Sequence, residues 1–313
     1  MSILLVGAGQ MATHYARVLL ELGADFQTVG RSVDAVEAFR DATGLPAEPG
    51  GMERYLANHD SPTMAIVAVD IPNLATVTRA LIDAGVTSIL VEKPVGLSTR
   101  EVRDVAREAS IRHADVFVAY NRRFYASTKA ARRMVEEDGG LLAVEFEFTE
   151  WAARVATSVT VAPVKERWII ANSSHVLDLA FFFAGMPADH RSWRVGSLPW
   201  HDSGARFVGA GVTDRGVPFS YHAAWGAPGR WGVTLRTQAR RLRLQPMEQL
   251  YESVDGVTET QVELDDAVDR RFKPGLLLQV EAFLAGEDDR LCSIHEHAAM
   301  MQVYSGIAGY PDD

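Results

Sequence analysis

The chain has 313 residues, and 47% of them are hydrophobic, which is enough to fill two cores and excludes a disordered or fibrous protein. The 41 Asp and Glu residues outnumber the 31 Lys and Arg residues, so the net charge of −10 makes nucleic acid an unsuitable partner. The single cysteine, Cys292, cannot form an intrachain disulfide, which suits a reducing cytoplasm.

The apolar segments of the sequence are too short to anchor the chain in a membrane. Residues 1–6 carry no basic group and their apolar run stops at Gly7, so we expect neither a signal peptide nor an anchor. The stretch from Val176 to Pro187 is interrupted by Asp178 and is shorter than the roughly 20 residues that span a bilayer. We therefore predict a cytoplasmic protein with no membrane segment.

The first 120 residues alternate short β-branched runs with segments of helical periodicity, a pattern typical of a parallel sheet covered by helices. Right-handed crossovers between such strands give a doubly wound fold, so we predict a dinucleotide-binding Rossmann domain over residues 1–120. The predicted strands lie at residues 3–6, 26–29, 64–69, 88–91 and 116–119. The predicted helices lie at residues 10–21, 33–41, 73–84 and 98–109.

The pattern changes after Tyr120. In residues 142–151, Val144, Phe146 and Phe148 alternate with polar residues, which indicates a half-exposed antiparallel strand. We predict that residues 121–313 form a substrate-binding and oligomerisation α+β domain on a large, mostly antiparallel open sheet. Its further predicted strands lie at residues 192–198, 205–212, 219–225, 233–237 and 242–245, and its predicted helices at 174–183, 275–284 and 293–304.

A glycine-rich turn joins the first strand to the first helix. The run from Gly7 to Ala12 has the Gly-x-Gly-x-x-Ala spacing of a dinucleotide-binding turn. Gly7 permits the tight turn, Gly9 lets the backbone approach a pyrophosphate, and Ala12 keeps the helix close to the sheet. The alternative is a glycine turn used only for packing. The predicted cofactor contacts at this edge of the sheet are Gly7, Gly9, Gln10, Met11 and Val69.

The residues after the second strand favour NADP(H) over NAD(H). This strand ends at Thr28-Val29-Gly30-Arg31-Ser32, without the acidic residue that would bind the ribose 2′-hydroxyl of NAD. Arg31 can stack on adenine and pair with a 2′-phosphate, and Ser32 can add a hydroxyl contact. The alternative is an exposed arginine before an ordinary serine helix cap.

Lys93 follows a predicted strand in the run Val91-Glu92-Lys93-Pro94, which places it at the carboxyl edge of the sheet. An ammonium in a partly desolvated cleft can exchange a proton with a hydroxyl or carbonyl oxygen, which a guanidinium cannot do. We predict that Lys93 is catalytic and that Glu92 and Lys93 also contact the cofactor. The alternative is a surface lysine paired with Glu92.

Four motifs together resemble the oxidoreductase family named for glucose-fructose oxidoreductase, inositol dehydrogenase and MocA. They are the glycine turn, Glu92-Lys93-Pro94, Tyr120-Asn121-Arg122-Arg123-Phe124, and the pair His175 and Asp178. The resemblance implies a nicotinamide-dependent oxidoreductase that acts mostly on sugars, cyclitols or their nucleotide-linked derivatives, with Lys93 transferring the proton. It also makes the bond between Lys93 and Pro94 a candidate for the cis form.

The resemblance implies that Tyr120, Asn121 and Arg122 line the nicotinamide end of the cleft and bind substrate. The alternative is that Tyr120 and Phe124 are core residues while Arg122 and Arg123 are solvated.

His175 lies in the first turn of the predicted helix 174–183, behind two serines that can cap it. In many members of the family an aspartate stands four residues before this histidine, but here the position is Ala171. Asn172 can offer a hydrogen bond there but cannot ionise. We predict His175 as the second catalytic residue, and Asn172 and Asp178 as substrate-binding residues. The alternatives are a histidine that satisfies loop carbonyls and an aspartate that only fixes the fold.

Three cationic residues, Arg154, Lys165 and Arg167, flank a loop where the resemblance places substrate contacts. They can bind a phosphate or a carboxylate, and we predict them as substrate-binding residues. Ordinary loop charges are the alternative.

No metal site is predicted. His175 and Asp178 have no third histidine or cysteine nearby in the sequence. His295 and His297 would point to different faces of a helix, which is typical of a solvated surface.

These residues predict hydride transfer between a nicotinamide and a carbonyl or carbinol carbon of a sugar, nucleotide sugar or cyclitol. Lys93 exchanges the oxygen-bound proton and His175 orients the hydroxyls. An imine reductase of the same fold and a non-catalytic dinucleotide-sensing regulator are the alternatives. Members of the family that the motifs resemble cover the exposed face of the second sheet by pairing subunits, so the resemblance implies a homodimer or homotetramer. The expected partner is a small sugar-like substrate.

Overall fold

The computed structural model describes residues 3–286 and 289–311. Met1 and Ser2, at the start of the predicted first domain, and the last two residues of the predicted second domain lie outside the described residues. Contacts divide the chain into two compact units. The first unit comprises residues 3–120 and the described part of 271–299, and the second comprises residues 121–270 and 300–311.

Strands and helices alternate along the first 120 residues, with the predicted elements present and their ends displaced by at most three residues. The strands are β1 (Ile3–Val6), β2 (Phe26–Gly30), β3 (Glu48–Pro49), β4 (Met64–Val67), β5 (Ser88–Val91) and β6 (Asp115–Val118). The helices are α1 (Gln10–Glu21), α2 (Val33–Thr43), α3 (Gly51–Asn58), α4 (Leu74–Asp83) and α5 (Thr99–Arg112).

The rest of the chain is richer in short elements than the sequence predicts. Its helices are α6 (Ala126–Glu137), α7 (Ala152–Thr157), α8 (Ala162–Glu166), α9 (Ser174–Ala184), α10 (Ala267–Arg271), α11 (Leu276–Ala285) and α12 (Ile294–Ala308). Its strands are β7 (Ala143–Glu147), β8 (Pro187–Val195), β9 (Arg206–Thr213), β10 (Pro218–Ala224), β11 (Gly232–Arg236), β12 (Arg241–Leu244), β13 (Tyr251–Ser253), β14 (Thr260–Gln261) and β15 (Cys292–Ser293).

The sheet of the first unit has the strand order β15-β6-β5-β4-β1-β2-β3, with every described pairing parallel except that of β15 with β6. All four residues of β1 are buried, as expected for a strand covered by helices on both faces. The order reverses at β1, so the loops after β1, β2, β4 and β5 meet at the carboxyl edge of the sheet. The predicted doubly wound fold is confirmed.

Residues 271–299 depart from the predicted division of the chain, which assigned everything after residue 120 to the second domain. Helix α11 packs against α1 through buried residues such as Val280 and Phe283. Strand β15 extends the first sheet, because Cys292 pairs with Val118. The segment therefore belongs to the first unit.

The second unit is built on an eight-stranded sheet in the order β14-β13-β12-β11-β7-β10-β9-β8. Only the pairing of β7 with β10 is parallel among the described strands, so the predicted mostly antiparallel sheet is confirmed. Helix α9 covers one face: the Phe181 ring lies 5.5 Å from the Phe146 ring and 5.0 Å from the Phe219 ring. The opposite face exposes Trp193 and Val208.

None of the helices in the described parts of the chain has both the length and the apolarity needed to cross a bilayer. The longest of them, α12, has 15 residues.

Candidate active site

The turn after β1 has the backbone of a phosphate-binding loop. Gly7 has a φ of +128°, and a Cβ atom added there would lie 2.3 Å from the carbonyl oxygen of Ala68, so only glycine fits. Gly9 is exposed, faces open space and begins α1 without a side-chain cap. Ala12 is fully buried. The first N–H groups of α1 are therefore available to an anion, and this geometry fits a dinucleotide pyrophosphate.

An exposed guanidinium follows β2. Gly30 packs against the glycine turn, since a Cβ atom added there would lie 2.7 Å from the Cβ of Ala8. Arg31 is exposed, and its side chain makes no hydrogen bond or ion pair with a described residue. The Ser32 hydroxyl accepts a hydrogen bond from the Ala35 N–H at 3.2 Å and so caps α2. The Ser32 hydroxyl therefore stabilises the start of α2, whereas the Arg31 side chain makes no polar contact with the described residues of the unit.

Lys93 lies in a tight turn after β5. The bond between Lys93 and Pro94 is cis, as the family resemblance predicts. Val95 is buried and has a φ of +69°, a backbone conformation that β-branched residues rarely adopt. Gly96 donates its N–H to the Pro94 carbonyl at 2.8 Å. The half-buried Lys93 is therefore held at the same edge of the sheet as the glycine turn.

Glu92 turns its side chain toward helix α1. The Tyr15 hydroxyl donates a hydrogen bond to the Glu92 carboxylate at 2.8 Å. Burial raises the pKa of Glu92, while Tyr15, Lys93 and Lys273 oppose that shift. Burial and the neighbouring carboxylate raise the pKa of Tyr15. The predicted cofactor contact of Glu92 stays a prediction, since the structure shows its carboxylate bonded within the unit.

A buried hydrogen-bonded chain ties α12 to the turn that carries Lys93. His297 donates from Nε2 to the Pro94 carbonyl at 2.8 Å, and its Nδ1 lies 3.3 Å from the Tyr120 hydroxyl. Tyr120 and His297 are each 1% exposed. Tyr120 is therefore a core group of the first unit, and its predicted contact with substrate stays a prediction. The solvated surface predicted for His297 is wrong, because its side chain is buried.

Arg123 and Asp178 form a buried ion pair in the second unit. Arg123 donates to both carboxylate oxygens of Asp178, at 2.9 and 2.6 Å, and the two side chains are 3% and 1% exposed. Both carboxylate oxygens of Asp178 are therefore bonded in the core, and its predicted substrate-binding role stays a prediction. Asn121 is also buried, and its side chain bonds to Tyr125. Its predicted substrate contact likewise stays a prediction.

The segment before His175 differs from the predicted helix cap. Residues Ile169–Ser173 form a π-helical turn that continues into α9, a feature often found at functional sites. Ser173 donates its hydroxyl to Glu150 at 2.6 Å, and Ser174 donates to the Ile170 carbonyl at 2.7 Å, so neither caps the helix. His175 is nearly buried in the first turn of α9.

Glu150 is a buried carboxylate that the sequence analysis missed. It lies three residues after β7 and is 7% exposed. Asn172, Ser173 and the indole N–H of Trp231 donate hydrogen bonds to it. Burial raises the pKa of Glu150, and these donors oppose that shift. The Trp231 ring lies 6.3 Å from the His175 ring, so Glu150 and His175 flank the same indole.

Glu150, Asn172 and Trp231 line a cavity of about 380 Å³ that lies within the second unit. Its inner residues, such as Glu150 and Asn172, are buried or half-buried, whereas Arg154 at its rim is exposed. Arg122 stacks over the Trp231 ring at 5.1 Å. The lining therefore combines one inner carboxylate, aromatic walls and arginines. Its polar and aromatic members are Arg122, Thr149, Glu150, Trp151, Arg154, Ser158, Trp168, Asn172, Arg230, Trp231 and Glu248.

The three predicted loop cations do not act together. Arg154 lines the cavity described above. Lys165 donates to the carbonyls of Ala156 and Ser158 at 3.0 and 2.9 Å, and Arg167 stacks over the Tyr310 ring at 4.7 Å. Lys165 and Arg167 line a different depression, and the predicted substrate contacts of all three cations stay predictions.

Residues 3–286 and 289–311 contain no group of three or more His, Cys, Asp or Glu side chains arranged to hold a metal ion.

The N-terminal domain matches a known family. Residues 1–120 match the model described as "Oxidoreductase family, NAD-binding Rossmann fold", GFO_IDH_MocA. The resemblance that the motifs predict is thereby confirmed for residues 1–120, which match this oxidoreductase family.

Trans-1,2-dihydrobenzene-1,2-diol dehydrogenase of Sus scrofa is similar to part of the chain. The two are 27% identical over 184 residues, which cover 57% of this chain and 52% of the pig enzyme. The chain thus spans about half the length of this curated relative.

Two solved structures share the fold of the whole chain. An oxidoreductase from Agrobacterium radiobacter in complex with NAD+, L-tartaric acid and magnesium has a TM-score of 0.79 at 13% identity and covers 97% of this chain and 94% of its own. UDP-N-acetylglucosamine 3-dehydrogenase from Acidithiobacillus ferrooxidans has a TM-score of 0.77 at 17% identity and covers 100% and 98%. At these identities the likeness supports the fold alone.

Proposed function

We propose that the protein is an NAD(P)-dependent dehydrogenase or reductase that acts on a secondary alcohol, or the matching ketone, of a sugar, nucleotide sugar or cyclitol. The observation that carries the proposal is the turn of Lys93, held at the same sheet edge as the open N-terminus of α1. When bound, the nicotinamide takes up or supplies the hydride.

Lys93 handles the proton of this reaction. The glycine turn and the open N-terminus of α1 would hold the dinucleotide, which would accept the hydride of the carbinol carbon. In the oxidation direction the hydroxyl proton would pass to Lys93 Nζ as the carbon–oxygen double bond forms, and reduction would reverse both transfers. His175 orients the substrate hydroxyls, and Asn172, Arg122 and Arg154 of the second-unit cavity contact the rest of the substrate.

The exposed Arg31 supports a preference for NADP(H). A guanidinium without an internal partner is suited to a 2′-phosphate, and no acidic residue ends β2 to bind a ribose 2′-hydroxyl. The cap position of Ser32 leaves its hydroxyl hydrogen able to donate to the same phosphate.

The name of the pig relative supports a cyclic secondary alcohol as the reacting group. Its substrate by name is a ring with two neighbouring hydroxyls. Sugars and cyclitols share that vicinal arrangement.

The exposed face of the second sheet supports a homodimer or homotetramer. Trp193 and Val208 are paired in register across β8 and β9 and are 58% and 51% exposed. Large apolar side chains exposed side by side on a sheet are typical of a protein–protein interface.

A cofactor-coupled screen tests the proposed activity. The purified protein is assayed with NADP+ and NAD+ against cyclitols, sugars, aminosugars, nucleotide sugars and trans-1,2-dihydrobenzene-1,2-diol, and with NADPH and NADH against keto sugars. We expect cofactor turnover with at least one cyclic alcohol and a higher kcat/KM with NADP+ than with NAD+. Cofactor binding without turnover of any compound would contradict the proposed activity and favour a dinucleotide-sensing regulator.

A further inference from the structure

Glu150 is a buried ionisable group that the proposed hydride and proton transfers do not use. Its two carboxylate oxygens are bonded unequally. Oε1 accepts hydrogen bonds from Ser173 at 2.6 Å, Asn172 at 3.1 Å and Trp231 at 3.2 Å. Oε2 accepts a long one from Asn172 at 3.3 Å, and the Trp168 indole is a further donor near the carboxylate. Because each carboxylate oxygen has about two acceptor positions, Oε2 retains capacity for another donor.

The donor that Oε2 lacks can come from the cavity, because Glu150 is one of its inner lining residues. The walls beside it are the indole rings of Trp151, Trp168 and Trp231. Indole faces bind the apolar C–H face of a ring, while the carboxylate binds the hydroxyls at its edge. The two features together match a polyhydroxylated ring.

We propose that Glu150 is a substrate-binding residue that accepts a hydrogen bond from a ring hydroxyl, and that the cavity selects a cyclic vicinal diol which is uncharged at that end. This inference rests on the proposed function, because it assigns the substrate class of the same reaction. The cavity of about 380 Å³ has room for a small ring-shaped substrate.

Charged residues share the cavity with Glu150: Arg122, Arg154 and Arg230 line it, and Glu248 is its other acidic residue. His175 faces Trp231 from the neighbouring helix turn. An anionic substrate group placed beside Glu150 would be repelled, whereas a hydroxyl donates to it.

The first test is a binding measurement that does not require turnover. The protein with saturating NADPH is titrated with myo-inositol and with trans-1,2-dihydrobenzene-1,2-diol, and tryptophan fluorescence reports binding because three indoles line the cavity. We expect Glu150→Gln to weaken binding of the compound that the wild type binds best by about 10- to 100-fold, since it replaces a charged acceptor by a neutral one. The NADPH affinity should stay unchanged.

A matched control is Glu136→Gln. Glu136 is an exposed glutamate of α6 in the same unit and forms a surface pair with Arg132. Its variant should bind both compounds and NADPH as the wild type does.

A kinetic measurement separates substrate binding from a structural role. With a substrate that is turned over, Glu150→Gln should raise KM by about 10- to 100-fold and leave kcat within about threefold, because the hydrogen bond already exists in the ground state. For the wild type, 1/KM should fall as the pH drops through the pKa of Glu150, which burial raises. Glu150→Gln should lose that fall, and His175→Asn should keep it.

Three results would overturn the inference. They are a wild type that binds neither compound, a Glu150→Gln variant that binds within threefold of the wild type, or an equal loss of NADPH affinity in that variant. If Glu150→Gln does not fold, the same titration is carried out with Glu150→Asp. This variant keeps the negative charge, but its side chain is one methylene shorter, so its carboxylate lies farther from the cavity. A turnover screen that fails while Glu150-dependent binding persists would refute the proposed activity and leave the binding assignment intact.

Discussion

The proposed preference for NADP(H) over NAD(H) can be tested by substituting the exposed Arg31. Arg31→Asp should lower the ratio of NADPH affinity to NADH affinity by about 10- to 100-fold, because a carboxylate repels the 2′-phosphate that the guanidinium would bind. Fluorescence titration with both cofactors measures the ratio. Arg103→Asp, at an exposed arginine of α5 in the same unit, is the control and should leave it unchanged. An unchanged ratio in Arg31→Asp would contradict recognition of a 2′-phosphate.

The proposed role of His175 in orienting substrate can also be tested by a single substitution. His175→Asn should lower kcat/KM by about 10- to 1000-fold and remove one limb of its pH profile, because an amide keeps hydrogen bonding but cannot titrate. NADPH affinity should be preserved. If the variant instead melts at a much lower temperature while its folded fraction turns over normally, His175 only supports the helix.

The sequence motifs predicted where a residue lies in the fold better than they predicted which residues its side chain contacts. Lys93 lies at the expected sheet edge because strand and turn are local features of the sequence. Tyr120 and Asp178 were placed at the substrate, but Tyr120 meets His297 and Asp178 meets Arg123, partners far away in the chain. Glu150 belongs to no motif, and the one available signal was a carboxylate just beyond an alternating strand.

At the scale of the elements, the ion pair of Arg123 and Asp178 joins α9 to the segment before α6. Asp178→Asn should lower the free energy of unfolding by about 3–5 kcal/mol, because it leaves the Arg123 guanidinium buried without a counter-ion. Denaturant titration measures the loss, and replacing both residues by apolar ones should recover much of it. A stable Asp178→Asn variant with a large rise in KM would contradict this structural role and support substrate binding by Asp178.

Helices and strands with a clear periodicity of hydrophobic residues could be predicted from the sequence. Elements that depend on contacts with residues distant in the sequence could not. Helix α1 begins and ends at the predicted residues because a glycine turn precedes its apolar stripe. Helix α6 was missed, although Ser127, Ala131 and Met134 are buried at helical spacing, because its surface is rich in arginine and glutamate. The π-helical turn Ile169–Ser173 was not predictable, because its residues show no hydrophobic periodicity. A hydrogen bond from Ser173 to Glu150, which is distant in the sequence, helps to hold it.

At the scale of the whole molecule, the paired Trp193 and Val208 predict self-association through the second sheet. The native mass measured by light scattering should be a multiple of the monomer mass, and Trp193→Glu should reduce it, because a carboxylate in an apolar interface is costly. Val257→Glu is the control, since Val257 is an exposed valine outside the sheet. A monomeric wild type would contradict this interface.

The proposed reaction is hydride transfer to and from a nicotinamide, in which Lys93 accepts or donates the proton. Its most direct test is a single-turnover reaction with a substrate found by the screen and deuterated at the carbinol carbon, with mass spectrometry of the recovered cofactor. We expect the wild type to place the deuterium on the nicotinamide, and Lys93→Met to slow that transfer by about 100-fold or more with little change in NADP+ affinity. A wild-type reaction that leaves the cofactor unlabelled, or a Lys93→Met variant that labels it at the wild-type rate, would contradict the claim.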